Sequence, residues 1–175
     1  MNRYLIVVDM QNDFIDGSLG TKEAQEIVEN VVKEAKEFQG TVIFTQDTHE
    51  KDYLNTQEGQ RLPVSHCIKG TAGWELCPAL EEVRDSLNSL VIEKPTFGSV
   101  HLAEYLSGIH MTRPIDEIRL VGLCTDICVI SNALLLKAFL PEVKISVRKD
   151  CCAGVSPESH EAALVSMACC QIEIL

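Results

Sequence analysis

Short apolar runs recur along this chain at intervals long enough to hold a helix between neighbours, and that spacing restricts the fold more than any other feature. The runs are residues 4–8 (YLIVV), 41–45 (TVIFT), 90–92 (LVI), 117–121 (EIRLV), 143–147 (VKISV) and 171–175 (QIEIL). Runs rich in Val, Ile and Leu predict strands buried on both faces, the condition of a parallel sheet covered by helices. Between them lie helical patterns. Over 22–38, Ala24, Ile27, Val28, Val31, Val32 and Ala35 form one apolar stripe on a charged helix. Residues 126–140 are apolar on most sides and predict a central helix. Ser156, Pro157 and Glu158 read as an N-cap, a first-turn proline and a first-turn acid, opening a helix through Cys169. The order is β-α-β, a long loop, then α-β-α-β-α-β-α-β. Right-handed crossovers make this a three-layer α/β/α fold with a central parallel sheet, Rossmann-like in its layering. A chain of 175 residues builds such a core as one domain, and without a repeat or linker the whole of 1–175 is taken as that unit.

The charge balance narrows the partners. With 15 Lys+Arg against 26 Asp+Glu the net charge is −11, whereas nucleic acid and anionic membrane surfaces call for a clustered basic face. Neither is expected as a partner. No apolar run approaches the roughly 20 residues that span a bilayer. The first run meets Asp9 too soon to be a signal-peptide core, so a cytoplasmic protein is expected. The eight cysteines, at 67, 77, 124, 128, 151, 152, 169 and 170, should then be reduced. Two adjacent pairs and no CxxC do not make a disulfide framework. Most are expected to be packed small hydrophobes, which leaves the question of whether one differs.

In open parallel sheets, ligands bind beyond the carboxyl ends of the strands. Asp9 follows the first strand, Asp47 and His49 the second, Lys94 the third, and residues 122–128 the fourth. Cys128 falls at the start of a helix, where the macrodipole lowers a thiol pKa and favours thiolate. Lys94 would push the same way, and Asp9 could accept the proton. The plainer alternative is a packed cysteine, a surface lysine and a capping aspartate with no shared site. The loop 47–73 is long enough to carry function. Asp47 and His49 point the same way on an extended chain, and Glu58 and His66 could fold back over them. Two histidines and two carboxylates suit Zn, Mn or Fe with positions left open. Cys67 is discounted as a ligand, because successive side chains diverge from His66. Here the plainer alternative is a capping Asp with solvated histidines. His101, His110 and His160 carry no motif and read as surface or packing residues.

These segments form a recognisable set. LIVVDMQNDF at 5–14, EKPTFGS at 93–99 and GLCTDICV at 122–129 resemble the strand-end motifs of the isochorismatase-like cysteine hydrolases. FTQDTH at 44–49 and PVSHCIKGT at 63–71 resemble the metal-binding segments of the nicotinamidase/pyrazinamidase branch. The resemblance runs from the first strand to Ser156. It implies Asp9, Lys94 and Cys128 as catalytic residues, and a divalent metal, zinc first, on Asp47, His49, His66 and Glu58, with Asn55 a weaker fourth ligand. It also implies an oxyanion site at the backbone N–H groups of Cys124 and Cys128, with a cis peptide at Leu123–Cys124 aiming the first. Nicotinamidases often carry an aromatic just before the second metal histidine. Here Leu62-Pro63-Val64-Ser65 stands there, leaving Phe14, with Leu62 and Tyr53, as the expected substrate walls. The implied reaction is hydrolysis of a small heteroaromatic amide to acid and ammonia through a Cys thioester, in NAD salvage, by a homo-oligomer. Another small amide, a ureido compound or a vinyl ether is the alternative substrate. A thiol switch built on Cys124 and Cys128, or a non-catalytic binding module, leaves Asp9 and Lys94 unexplained.

Overall fold

A computed structural model describes all 175 residues, Met1–Leu175. The elements are β1 Arg3–Val8, α1 Asn12–Ile15, α2 Lys22–Glu26, α3 Val28–Glu37, β2 Thr41–Asp47, α4 Gln57–Arg61, α5 Pro78–Leu87 and β3 Leu90–Lys94. There follow α6 Val100–Thr112, β4 Glu117–Leu123, α7 Ile130–Phe139, β5 Lys144–Ala153, α8 Pro157–Cys169 and β6 Glu173–Ile174. The strands form one six-stranded sheet in the order β3-β2-β1-β4-β5-β6, every pairing parallel. The expected three-layer fold is therefore present. Alternation along β1 shows how the core divides. Tyr4, Ile6 and Val8 face a cluster with Leu102, Leu106, Ala133, Leu136 and Met167. Leu5 and Val7 face another with Val31, Ala35, Leu80 and Val83. Both faces are thus covered by helices, which is why the strands read as continuous apolar runs.

Strand order reverses between β1 and β4, and the crevice at such a switch point is where open α/β sheets bind ligands. Val8 pairs with Gly122 there. Gly122 has φ +113°, and a Cβ on it would meet the Val8 carbonyl oxygen at 2.1 Å, so only glycine allows β1 and β4 to close up at the site. On the other side Asp47 pairs with Lys94 across β2 and β3, which makes these two residues neighbours by register.

Several elements differ from expectation. The helix over 22–38 is interrupted at Ile27, where ψ is −12°. The loop 47–73 holds a 3₁₀ turn, Tyr53–Asn55, and α4, each of which satisfies backbone groups that a bare loop would leave to water. The helix over 126–140 begins as a π turn, Thr125–Val129, with the Val129 N–H reaching back to the Cys124 carbonyl at 3.0 Å. Strand β5 runs past the apolar stretch to Ala153 through a register shift between Leu120 and Gly122 of its neighbour. Cys169 and Cys170, expected to pack, are exposed at the end of α8. No helix is long and apolar enough to cross a membrane.

Charged residues near the amino ends of β1, β4 and β5 form a network remote from the carboxyl-end crevice. Glu117 takes Arg3 at 2.7 Å and Arg119 at 3.0 Å, and Arg119 and Arg148 both reach Glu34. Burial raises the Glu117 pKa, but the two guanidiniums outweigh it and hold the carboxyl below its usual range. Its stabilisation is therefore complete above the unfolded-state value and is lost as pH falls through the lower folded value. Glu117→Gln should lower the unfolding free energy at pH 7 by about 1–3 kcal/mol. The gap from wild type in urea midpoint should narrow as pH drops below about 4; a gap constant from pH 7 to 3 would refute the role given to the carboxylate.

Candidate active site and metal centre

Each strand end contributes one group. Asp9, the first residue past β1, adopts a left-handed backbone (φ 48°), a conformation Asp tolerates better than most residues. That turn buries its carboxylate completely. Thr45 on β2 donates its hydroxyl to Asp9 Oδ1 at 2.6 Å. Lys94 closes β3 and is 1% exposed. Its Nζ lies 2.6 Å from Asp9 Oδ2, 3.1 Å from Asp47 Oδ1 and 3.4 Å from Cys128 Sγ, and donates to the Thr96 carbonyl at 3.1 Å. Burial lowers the lysine pKa, but Asp9, Cys128 and Asp47 together raise it well above the ordinary value, so the ammonium persists.

Cys128 lies in the π turn after β4, a device that recurs at functional sites because it breaks the regular helical ladder. The Leu123–Cys124 peptide is cis, as the resemblance implies. The Cys124 N–H, next to it, donates to no backbone acceptor of the chain. Contrary to the expectation from the helix dipole, the Cys128 thiol pKa is raised. Burial is the largest cause, Asp9 and Asp47 add to it, and Lys94 opposes them without prevailing. The thiol therefore stays protonated until a base takes its proton. Burial is also the largest cause of a raised Asp9 pKa; the Lys94 charge opposes it and Asp47 reinforces it. Passing the proton from Cys128 to Asp9 leaves the summed charge of the cluster unchanged, which is the condition for such a transfer in a dry site. Burial also pushes the Cys124 thiol up to about 12, so that residue has only a backbone contribution to offer.

Asp47 divides its two oxygens. Oδ1 faces Lys94, while Oδ2 lies 3.0 Å from His49 Nε2 and 3.7 Å from His66 Nε2. Burial raises the Asp47 pKa, but both histidines and Lys94 outweigh it and hold the carboxyl far below its usual range. Glu58 Oε1 approaches the same two nitrogens at 3.6 and 3.8 Å. Four donors at ~2.1 Å from one ion in a tetrahedral shell would stand ~3.4 Å apart, and these separations bracket that figure. His49 Nε2, though 3.0 Å from Asp47 Oδ2, meets no acceptor in hydrogen-bonding geometry, the state expected of a nitrogen kept for a metal. His66 Nδ1 pairs with the Val64 carbonyl at 2.8 Å, which orients its Nε2 toward the others. Asp47, His49 and His66 thus form a candidate metal site, with Glu58 at its edge. Asn55, the weaker candidate, is exposed.

A cavity of about 230 Å³ opens beside these groups, lined by Phe14, Leu62, Phe97, Ile127 and Val155 as apolar walls, and by Asp47, Glu58, His66 and Cys128 among its reactive groups. Phe14 and Leu62 line the cavity. Tyr53 does not: it is 1% exposed and packs behind the histidines, its ring 4.7 Å from His49 and 4.9 Å from His66. Its hydroxyl donates to the Leu62 carbonyl at 3.0 Å, so it packs behind the two histidines instead of lining the cavity.

Supporting residues had no spacing signal. Gln11 brackets Asp47, donating to its carbonyl at 2.8 Å and accepting its N–H at 2.7 Å. Asn132 donates to the Cys128 carbonyl at 2.8 Å and accepts the Ser99 N–H at 2.9 Å, tying the nucleophile turn to the segment after Lys94. Phe97 belongs to a motif quoted in the sequence and Val155 to the matched stretch that ends at Ser156, but only the fold places them on the cavity.

With this geometry in hand, comparison with known proteins places the chain. The isochorismatase domain matches residues 3–175. The chain belongs to the isochorismatase family. An isochorismatase family protein of Bacillus subtilis is 32% identical over 96% of this chain and 95% of its own length. The nicotinamidase/pyrazinamidase of Mycobacterium tuberculosis is 27% identical over 99% of this chain and 98% of its own. Among solved structures, the pyrazinamidase/nicotinamidase of Streptococcus mutans superposes with a TM-score of 0.85 at 25% identity, covering 99% of this chain and 100% of that one.

The donor geometry makes a definite forecast for metal content. Purified protein should carry close to one equivalent of divalent metal by elemental analysis. His49→Ala should lose it. Glu58→Gln should weaken binding about 10- to 100-fold, while Asn55→Ala should leave it unchanged; loss of metal from Asn55→Ala alone would overturn the ligand assignment.

Proposed function

We propose that this chain is a nicotinamidase-like cysteine amidohydrolase, cleaving a small heteroaromatic amide to the acid and ammonia in NAD salvage, with the whole of 1–175 as its catalytic domain. The observation that carries this reading is Lys94 in simultaneous contact with Asp9, Cys128 and Asp47, because it joins a nucleophile, a base and a metal ligand around one buried cation. A cavity of about 230 Å³ lies below the size of drug-binding pockets and suits a single-ring amide. Phe14 and Leu62 flank the ring.

Asp9 takes the Cys128 proton as the thiolate attacks the amide carbon, and Lys94 holds both partners in register. The N–H groups of Cys124 and Cys128 face the developing oxyanion, a contribution of about 3 kcal/mol per donor in comparable sites. Asp9 returns the proton to the leaving nitrogen, ammonia departs and a thioester on Cys128 remains. Water, deprotonated by Asp9, then adds to the thioester, and the acid leaves with the thiol restored. Asp47, His49, His66 and Glu58 would hold the divalent ion, zinc first and Mn or Fe as alternatives, which when bound supplies a Lewis-acidic anchor for a ring nitrogen. That donor set favours a heteroaromatic amide over the ureido compounds and vinyl ethers cleaved elsewhere in the superfamily.

Ammonia release from nicotinamide and pyrazinamide tests the reading. Wild type should turn over at least one of them, and Cys128→Ala should lower the rate at least about a thousandfold. Release from neither amide would sink the substrate assignment, and activity surviving in Cys128→Ala would sink the thioester.

A further inference from the structure

The mechanism leaves one buried polar contact beside the nucleophile unused. Thr125 opens the Cys128 turn next to Cys124, is completely buried, and its hydroxyl has a single side-chain partner, His160 Nδ1, at 2.8 Å. His160 sits in the first turn of α8, held by its own N–H to the Ser156 carbonyl at 3.0 Å. One residue further along the turn, Asp126 accepts the Val155 N–H at 3.1 Å. Gly154 approaches so closely that a Cβ on it would meet the His160 backbone nitrogen at 2.9 Å. The segment from β5 into α8 is thus strapped to the nucleophile turn at successive residues, and His160 supplies the strap that ends on a side chain. The turn needs it. The Cys124 carbonyl is fixed by the Ile127 and Val129 N–H groups and the Cys128 carbonyl by Asn132, whereas the side chain of Thr125, bonded directly to Cys124, is held only by His160.

We propose that His160 is a positioning residue of the active site: by holding the Thr125 hydroxyl it fixes the Cys124 N–H and the Cys128 thiol relative to Asp9 and Lys94. This rests on the amide-hydrolase reading for its kinetic arm only. Either tautomer serves, since the hydroxyl donates to a bare Nδ1 or accepts from a protonated one. Without the ring, the buried hydroxyl must turn to another partner and the turn shifts with it. Misplacement of reacting groups by a fraction of an ångström to an ångström is expensive in rate. The substrate walls do not include His160, so ground-state binding should be spared.

The test compares wild type, His160→Ala, His160→Asn, Thr125→Val and the His160→Ala/Thr125→Val double variant. The assays are steady-state kinetics on nicotinamide and alkylation of Cys128 by iodoacetamide, followed at the Cys128 peptide by mass spectrometry. His160→Ala should lower kcat about tenfold with KM within about twofold, and should change the Cys128 alkylation rate at least about threefold in either direction. Asn, whose side-chain amide can stand where Nδ1 stood, should restore most of both. The double variant should be no worse than the poorer single one, because both remove the same bond. If His160→Ala is too unstable to assay, the near-isosteric Thr125→Val removes that bond from the other side. Unchanged kcat and alkylation in the single variants, effects that multiply in the double variant, or a loss of kcat/KM carried by KM alone would overturn the proposal. Should wild type release no ammonia, the substrate reading fails while the alkylation arm still decides the role of His160.

Discussion

A single buried ammonium organises this molecule's chemistry. Lys94 is 1% exposed, and an unpaired charge at that depth would cost several kcal/mol. Its burial is tolerated because Asp9 and Asp47 approach from two other strand ends, at 2.6 and 3.1 Å, and the Thr96 carbonyl accepts a further N–H. The carboxylates in turn depend on the lysine: Asp9 is fully buried with only Lys94 and Thr45 to meet its oxygens. None of the three is stable there alone. The sheet supplies this mutual dependence, since register sets Asp47 against Lys94 and the glycine at 122 lets β1 and β4 come together beside Asp9.

What could be read before folding was set by how local the signal was. Strands buried on both faces announce themselves as unbroken apolar runs, and the rule that chemistry sits at their carboxyl ends then picks out Asp9, Asp47, His49, Lys94 and Cys128 from residue type and position alone. The same-side pairing of Asp47 and His49 follows from the period of an extended chain and appears as a 3.0 Å approach. Tyr53 failed because its side was decided by α4 and the preceding 3₁₀ turn, which pack it against the histidines. No periodicity over a few residues encodes that. Gln11, Thr45 and Asn132 act through hydrogen bonds to partners 36 or 33 residues away, and such contacts leave no spacing to find.

The thiol is the sharper lesson. A helix start and a nearby lysine both argue for a lowered pKa, and each is present in some form, yet the sum goes the other way. Desolvation acts on the whole group, and two carboxylates accompany the one ammonium. The sign of a buried pKa shift is a property of the complete charge set, so it cannot be taken from the one favourable neighbour that sequence happens to reveal.

That charge set also adjoins the candidate metal site. Asp47 serves Lys94 with one oxygen and the histidines with the other, so whatever happens at His49 and His66 is felt one carboxylate away from the thiol. A second positive charge on that side would draw on Asp47 and lessen its repulsion of a developing thiolate, while Lys94 keeps its closer hold on Asp9. Asp47 thus links the candidate metal site to the charge environment of the sulfur through one shared side chain. Gln11 clamps the Asp47 backbone from both sides and so fixes the Cα from which that shared carboxylate reaches both partners.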